Sequence, residues 1–215
     1  MPDDKFSFHC SRCGECCRNV ENAIMLESLD VFRISRYIKQ IGNTAQSIDE
    51  ILEVCATAVP LTDFGYPIFV LKTVGPKKEC VFLNSGKCSI QPAKPRTCRL
   101  YPLSAGPGDK DDSFNFFIVS QKQFHYKGRK IRVGDWMDEN FSHEDREFTS
   151  IEYRIAKDLG ALMRKLIGKG VDLSRMIFPL LLYKYYEFDL DAPFMPQYIN
   201  NMKTLKKKLT DLAGA

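Results

Sequence analysis

Cys10-Ser11-Arg12-Cys13-Gly14-Glu15-Cys16-Cys17 places four cysteines within eight residues, and the first half of the chain is best understood outward from it. Two residues between cysteines let one turn aim both sulfurs at a common centre. Gly14 follows the second cysteine, where a knuckle turn needs positive φ. Amides in such turns can point at the sulfurs and stabilise their negative charge. Residues 6–18 are therefore expected to form a tight, irregular loop. One C-x-x-C pair would be weak evidence for metal binding; this cluster is strong evidence.

A second group, Cys80, Cys88 and Cys98, lies downstream, and no cysteine follows Cys98. Cys80-Val81-Phe82-Leu83 and Lys87-Cys88-Ser89-Ile90 flank Asn84-Ser85-Gly86, a hairpin signal that would put Cys80 and Cys88 on its two arms. Pro92, Pro95 and Pro102 stiffen a loop around Cys98. Seven thiolates together would repel, so cations must accompany them. Metal would supply most of that charge, and Arg12, Arg18, Lys77, Lys78, Lys87, Lys94, Arg96 and Arg99 are candidates for the rest, though each also suits an ordinary solvated surface. Cys55 differs: it falls on the apolar stripe Ile48, Ile51, Leu52 and reads as a packing residue. A secreted disulfide scaffold would be shorter and would spread its cysteines along the chain.

The candidate metal ligands are thus Cys10, Cys13, Cys16, Cys17, Cys80, Cys88 and Cys98. Zinc takes four thiolates in closed structural sites. Iron–sulfur clusters also take four, and ferredoxins use C-x-x-C-x-x-C with a remote fourth cysteine. Cys10, Cys13 and Cys16 reproduce that run, so a 4Fe-4S cluster is the first expectation and zinc the alternative. Seven ligands exceed one tetrahedral site, which leaves room for a second metal or for spare thiols. His9, directly before Cys10, is a further candidate ligand or donor to a ligand; His125 reads as structural and His143 as exposed.

The remaining elements follow from periodicity. Ser28 is a candidate cap for a helix with the stripe Val31, Ile34, Ile38, Ile41, ending at Gly42. Ser47-Ile48-Asp49-Glu50 is a capping box for a second helix that ends before Pro60. Residues 68–74 read as a strand. The polar, turn-forming stretch 106–113 is the best boundary, dividing 1–105, a cysteine-cluster metal-binding region, from 114–215, an α+β region packed on it. Residues 114–120 and 129–133 read as strands joined through Lys127-Gly128. Thr149-Ser150-Ile151-Glu152 is a capping box for a long helix with the face Ile151, Ile155, Leu159, Leu162, Met163, Leu166. Residues 173–188 read as a buried helix kinked at Pro179, and the last helix carries Tyr198, Met202, Leu205, Leu209 and Leu212. The class is α+β: a small cysteine-rich half with two helices and a hairpin, then a short antiparallel sheet and C-terminal helices.

The 215 residues and a net charge of +4 neither require nor argue for nucleic acid. Residues 122–130 interleave aromatic and basic groups as single-strand binders do, but a two-stranded ribbon with a basic face explains them equally well. The longest apolar run, 178–183, is far below the ~20 residues of a membrane helix, and the acidic start lacks a secretory signal. A soluble cytoplasmic protein is expected, with a protein as the natural partner or substrate.

These residues resemble the CxxCxxCC, or YkgJ-type, cysteine-cluster family of zinc- or iron-chelating proteins. The likeness rests on Cys10 to Cys17, on Cys80-x-x-Leu83 with Gly86-Lys87-Cys88-Ser89-Ile90, and on Lys94-Pro95-Arg96-Thr97-Cys98-Arg99-Leu100-Tyr101-Pro102, about the first half of the chain. Family members share eight cysteines, against seven ligand candidates here. The family includes a flagellin lysine-N-methylase, and the resemblance implies for it a four-iron cluster and S-adenosylmethionine. The second half of this chain has no G-x-G-x-x-G loop, so methyl transfer ranks behind an iron–sulfur role in redox or protein modification and behind a zinc-stabilised binding module.

Overall fold

The computed structural model describes residues 3–42, 47–60, 66–108, 113–118 and 128–214. The α+β class holds: seven helices surround several small antiparallel sheets. Strand β1 (Lys5–Ser7) leads into the cysteine loop, which closes in one tight helical turn at Glu15–Cys17. After β2 (Met25–Leu26), helix α1 (Ser28–Gln40) begins one residue earlier than expected. Glu27, not Ser28, is its cap: the Glu27 side chain accepts from the Asp30 amide and Asp30 accepts from the Glu27 N–H at 3.2 Å. The Ser28 hydroxyl is left buried without a partner. Val31, Ile34 and Ile38 are buried as the stripe predicts, but Ile41 lies past the last turn and is exposed.

Helix α2 (Ile48–Cys55) opens on the Ser47–Glu50 capping box and buries Ile48, Ile51, Leu52 and Cys55. It passes directly into β3 (Ala56–Pro60), a strand that periodicity did not reveal. β4 (Pro67–Leu71) is the centre of a three-stranded antiparallel sheet, with β2 and β3 on its two sides. All five of its residues are buried, and Phe69 packs edge-on against Tyr185 and Tyr186. The expected single strand over 68–74 is broken at Lys72; β5 (Thr73–Val74) turns off to pair with β6 (Glu79–Cys80). The hairpin of β7 (Leu83–Asn84) and β8 (Lys87–Cys88) closes through Ser85 and Gly86, both at positive φ (48° and 76°), the geometry of a primed two-residue turn.

Helix α3 (Arg96–Leu100) carries Cys98, and β9 (Leu103–Pro107) pairs with β10 (Phe114–Ile118). The stretch 106–113, expected as a boundary, thus joins two paired strands; its residues 109–112 lie outside the described residues. β11 (Lys130–Arg132) pairs not with β10 but with β1, register Phe6↔Ile131. His125 and the aromatic–basic stretch as far as Lys127 also lie outside the described residues.

Helix α4 (Val133–Asn140), unexpected from sequence, is followed by α5 (His143–Gly168). α5 starts two turns before the predicted Thr149 box: Ser142 Oγ accepts from the Asp145 amide at 3.2 Å and the Asp145 carboxylate accepts from the Ser142 N–H at 3.0 Å. Helix α6 (Ser174–Leu181) runs through Pro179 and widens into a π-type turn over Leu182–Tyr186. It is buried along one face only, through Met176 and Leu180, while Phe178 is exposed. α7 (Phe194–Gly214) buries Tyr198, Met202, Leu205 and Leu209 as expected.

Two apolar clusters hold these elements. The larger draws Leu29, Ile34 and Leu52 from the N-terminal half and Leu159, Leu166, Leu180 and Leu205 from the C-terminal half. The smaller joins Phe6 and Phe8 to Leu100, Leu103, Met137 and Phe141. Cys55 and Cys80 belong to the larger cluster, with Cys17 and Cys88 packed against it. Among the described residues no helix is long and apolar enough to cross a membrane.

Candidate metal centre

The loop that carries Cys10 to Cys17 is anchored at its start, middle and end. At the start, the Phe8 N–H donates to Arg129 O at 3.4 Å, and the Phe8 ring stands edge-on to Trp136 (5.3 Å) and Tyr101 (5.8 Å). In the middle, Arg12 and Gly14 both turn through positive φ (55° and 75°). Gly14 tolerates no side chain: a Cβ there would sit 2.8 Å from Gly86 O and 2.9 Å from Leu83 Cδ1. The knuckle therefore rests directly on the β7–β8 turn, which brings Cys13, Cys16 and Cys17 towards Cys88. At the end, the Asn19 and Val20 amides donate to Lys77 O and Lys78 O at 2.9 and 3.2 Å. Arg18 Nε donates to Glu79 at 2.8 Å, tying the exit to the strand that carries Cys80.

The remote thiols are delivered by three elements rather than by one hairpin and one loop. Cys80 lies on β6 opposite Thr73, so it is not on the arm facing Cys88, as the sequence reading had it; Cys88 pairs with Leu83 instead. Cys98 sits within the helical turn α3, gripped on either side by an arginine. Arg96 donates through Nε and Nη2 to both Glu27 oxygens at 2.7 and 2.8 Å, and its own N–H donates to Asp30 at 2.7 Å. Arg99 donates to both Asp145 oxygens at 2.9 and 2.7 Å, and through Nε to Lys94 O at 3.1 Å. Bidentate arginine–carboxylate pairs combine charge with fixed geometry, so this turn is held from α1 and α5.

Four of the eight basic residues proposed to balance thiolates are paired with carboxylates instead. Arg18 pairs with Glu15 and Glu79, Lys78 with Glu21, Arg96 with Glu27 and Arg99 with Asp145. Lys94 lines both cavities described next, where its charge favours the thiolates of Cys16 and Cys88, and Arg12 and Lys87 line the smaller one. Glu27, Asp30 and Asp145 were missed from sequence. Ser142-x-x-Asp145 is a legible capping box, but its second role as anchor for Arg99 lies 46 residues away along the chain and has no local signal.

All seven candidate ligands border one of two adjoining cavities. The smaller, about 130 Å³, is lined by Cys10, Cys13, Cys16, Cys17 and Cys88, with exposed His9 at its edge. The larger, about 490 Å³, is lined by Cys16, Cys17, Cys80, Cys88 and Cys98. Cys16, Cys17 and Cys88 face both, so the two cysteine groups converge. Cys55, at 1% exposure, belongs to the apolar core and borders neither.

The electrostatics are those of crowded thiols. Cys16 and Cys17 Sγ atoms are 4.0 Å apart. Their hydrogen bond holds the Cys16 thiol down to about 6 and, with burial, pushes Cys17 well up. Burial pushes Cys80 and Cys88 up, and does the same to Cys98, where Cys80, Cys16, Cys88 and Asp30 add repulsion. Burial, with repulsion from Cys80 added and Lys72 opposing, takes Cys55 to about 12. Among the thiols whose pKa is shifted, Cys16 alone is moved towards the thiolate. Among the described residues no three His, Cys, Asp or Glu side chains stand at metal-holding spacing; metal binding and ligand deprotonation are coupled. The donor set itself, sulfur-rich and walled by Phe82, Ile90 and Tyr101, fits a soft or borderline metal.

Residues 9–129, more than half of the chain, match the family model CxxCxxCC, described as "Putative zinc- or iron-chelating domain". No curated protein and no solved structure matches the chain.

Proposed function

Because the chain belongs to the CxxCxxCC family of zinc- or iron-chelating domains, we propose that its thiols hold an iron–sulfur cluster serving redox or protein-modification chemistry in the cytoplasm. The observation that carries this reading is the pair of adjoining cavities, which together border seven thiols. A tetrahedral ion and a four-iron cluster each take four thiolates, so the remaining thiols are spare or serve a second metal, and it is the ligand spacing that favours the cluster. Cys10, Cys13 and Cys16 supply the C-x-x-C-x-x-C run, and Cys88 or Cys98 the remote fourth ligand. When bound, such a cluster supplies one-electron chemistry. The chain's own residues orient and insulate: Gly14 seats the knuckle, the Arg96 and Arg99 pairs fix Cys98, and Lys94 offsets thiolate charge. Phe82, Ile90 and Tyr101 wall the larger cavity beside Cys80, Cys88 and Cys98.

A structural zinc site has one specific observation in its favour. The 4.0 Å between Cys16 and Cys17 sulfurs approaches the edge of a ZnS₄ tetrahedron, about 3.8 Å for Zn–S bonds of about 2.3 Å. Anaerobic purification separates the readings. A brown protein containing iron and acid-labile sulfide in at least molar proportion supports the cluster; a colourless protein with stoichiometric zinc overturns it. S-adenosylmethionine-dependent lysine methylation is the third reading, and calorimetry of the iron-loaded protein with S-adenosylmethionine tests it.

A further inference from the structure

The mouth of the smaller thiol cavity carries charge of one sign. Arg12, Lys87 and Lys94 line it, and none of its lining residues is acidic. Arg12 sits in the knuckle at positive φ and Lys87 on the β7–β8 hairpin. Both are exposed, as is Lys77 on the β5–β6 turn that holds the exit of the cysteine loop. Among the described residues Arg12, Lys77, Lys87 and Lys94 make no ion pair. The carboxylates of the loop and of β6, Glu15 and Glu79, are both held by Arg18, and Glu21 pairs with Lys78.

A metal centre does not consume this charge. Four thiolates around a zinc ion, or around an oxidised four-iron cluster, leave about two negative charges, fewer than Arg12, Lys77, Lys87 and Lys94 supply. The thiols also reach the surface: Cys10, Cys13 and Cys16 are exposed, so a macromolecule can cover the cavity mouth. Unpaired cations gathered on one face repel one another, and a partner of opposite sign relieves that cost. Val74, 52% exposed, adds apolar contact area on the β5–β6 hairpin that carries Lys77.

We propose that this face docks an acidic protein surface, with carboxylates set against Arg12, Lys77, Lys87 and Lys94 and the metal centre beneath the contact. It rests on the thiols holding metal but not on which metal, since zinc and an oxidised cluster leave the same residual charge. Complementary charge speeds encounter and fixes orientation, which an electron-transfer partner needs as much as the partner of a zinc-stabilised module. A nucleic acid suits the face less well. Single strands stack on exposed aromatic rings, whereas the rings at this mouth, Phe8 and Tyr101, are buried and half-buried and packed edge-on together.

The test is fluorescence anisotropy of a labelled poly-L-glutamate oligomer with the full metal-loaded chain, beside labelled oligothymidylate of equal charge. Poly-L-glutamate is expected to bind with a dissociation constant below about 100 μM at about 50 mM NaCl, and at least about tenfold more weakly at about 300 mM. Arg12→Gln together with Lys87→Gln should weaken binding about tenfold. Lys77→Glu, at a position bordering neither cavity, should weaken it as well, so a loss of metal in the first variant does not remove the test. Lys203→Gln with Lys207→Gln on α7 removes equal charge from exposed positions that also border neither cavity, and should change affinity less than about twofold. Iron and sulfide content decide the cluster separately, since the zinc-loaded chain should bind equally well. The proposal is overturned by a dissociation constant above about 1 mM for poly-L-glutamate, by an equal loss in the α7 variant, or by tighter binding of oligothymidylate, which would assign the face to nucleic acid.

Discussion

Asp145→Asn isolates the device that positions Cys98. The wild-type carboxylate is 1% exposed and accepts from Arg99 (2.9 and 2.7 Å), Arg33 (2.5 Å), and the N–H and hydroxyl of Ser142 (3.0 and 2.7 Å). Asparagine keeps the shape but removes the charge and turns one acceptor into a donor facing two guanidinium groups. Deleting one partner of a buried pair costs about 3–5 kcal/mol. Arg33 and Arg99 are 23% and 21% exposed, so water can solvate them partly, and about 3 kcal/mol is the better figure. For a chain of this length that is a drop in melting temperature of roughly 6–12 °C. The pH dependence has a definite sign. Its partners hold the Asp145 carboxyl well below its ordinary 3.8, so the stabilisation is fully present above that pH and is lost as pH falls further. Calorimetric melts from pH 7 to 2.5 should show a wild-type acid loss that the variant lacks. Metal content measured at 20 °C should also fall, because α3 loses its tether to α5. As a control, Lys206→Ala removes an exposed pair with Asp158 and should change stability by less than about 0.5 kcal/mol. A variant melting within about 1 °C of wild type, with full metal, would refute the claim that this pair holds the ligand-bearing turn.

Burial raises Asp30 to about 7, so its contribution runs the other way: present at low pH and lost as pH rises through about 7. Urea unfolding at pH 5.5 and 8.5 should show this dependence, and Asp30→Asn should flatten it; an equally steep variant would count against the assignment. Cys13→Ala should lose most bound metal by elemental analysis, whereas Cys55→Ala should retain it and cost about 1 kcal/mol as a small core truncation. If Cys55→Ala loses metal too, the eighth cysteine of the family is a ligand here. Gly14→Ala meets both a positive φ and a backbone oxygen at 2.8 Å; it should cost more than about 1 kcal/mol and release metal from the knuckle. Retention of full metal with unchanged stability would show that the knuckle does not need to rest on Gly86. Chelation should raise protease cleavage within residues 9–20 and 80–100 but spare α5, whose Leu159, Met163 and Leu166 lie in the main core; cleavage spread evenly along the chain would contradict this.

Local chemistry alone determined a good deal of this protein. Four cysteines in eight residues, Gly14 at the knuckle, the Asn84-Ser85-Gly86 turn, the Ser47–Glu50 box and the stripe of α7 each depend on residues within a few positions of one another, and all are found where periodicity and spacing put them. The starts of α1 and α5 differ from the expected ones, and in each the observed capping box contains a carboxylate that also pairs with a distant arginine, Glu27 with Arg96 and Asp145 with Arg99. Only tertiary structure decided the pairings that span long stretches: β1 with β11, and the grips of Glu27 and Asp145 on the helix that carries Cys98. The physical reason is common to all of these. A cap or turn is closed by hydrogen bonds over three or four residues. A buried arginine pair or a sheet register is selected by what the whole core leaves unsatisfied, and that is known only once the chain has folded.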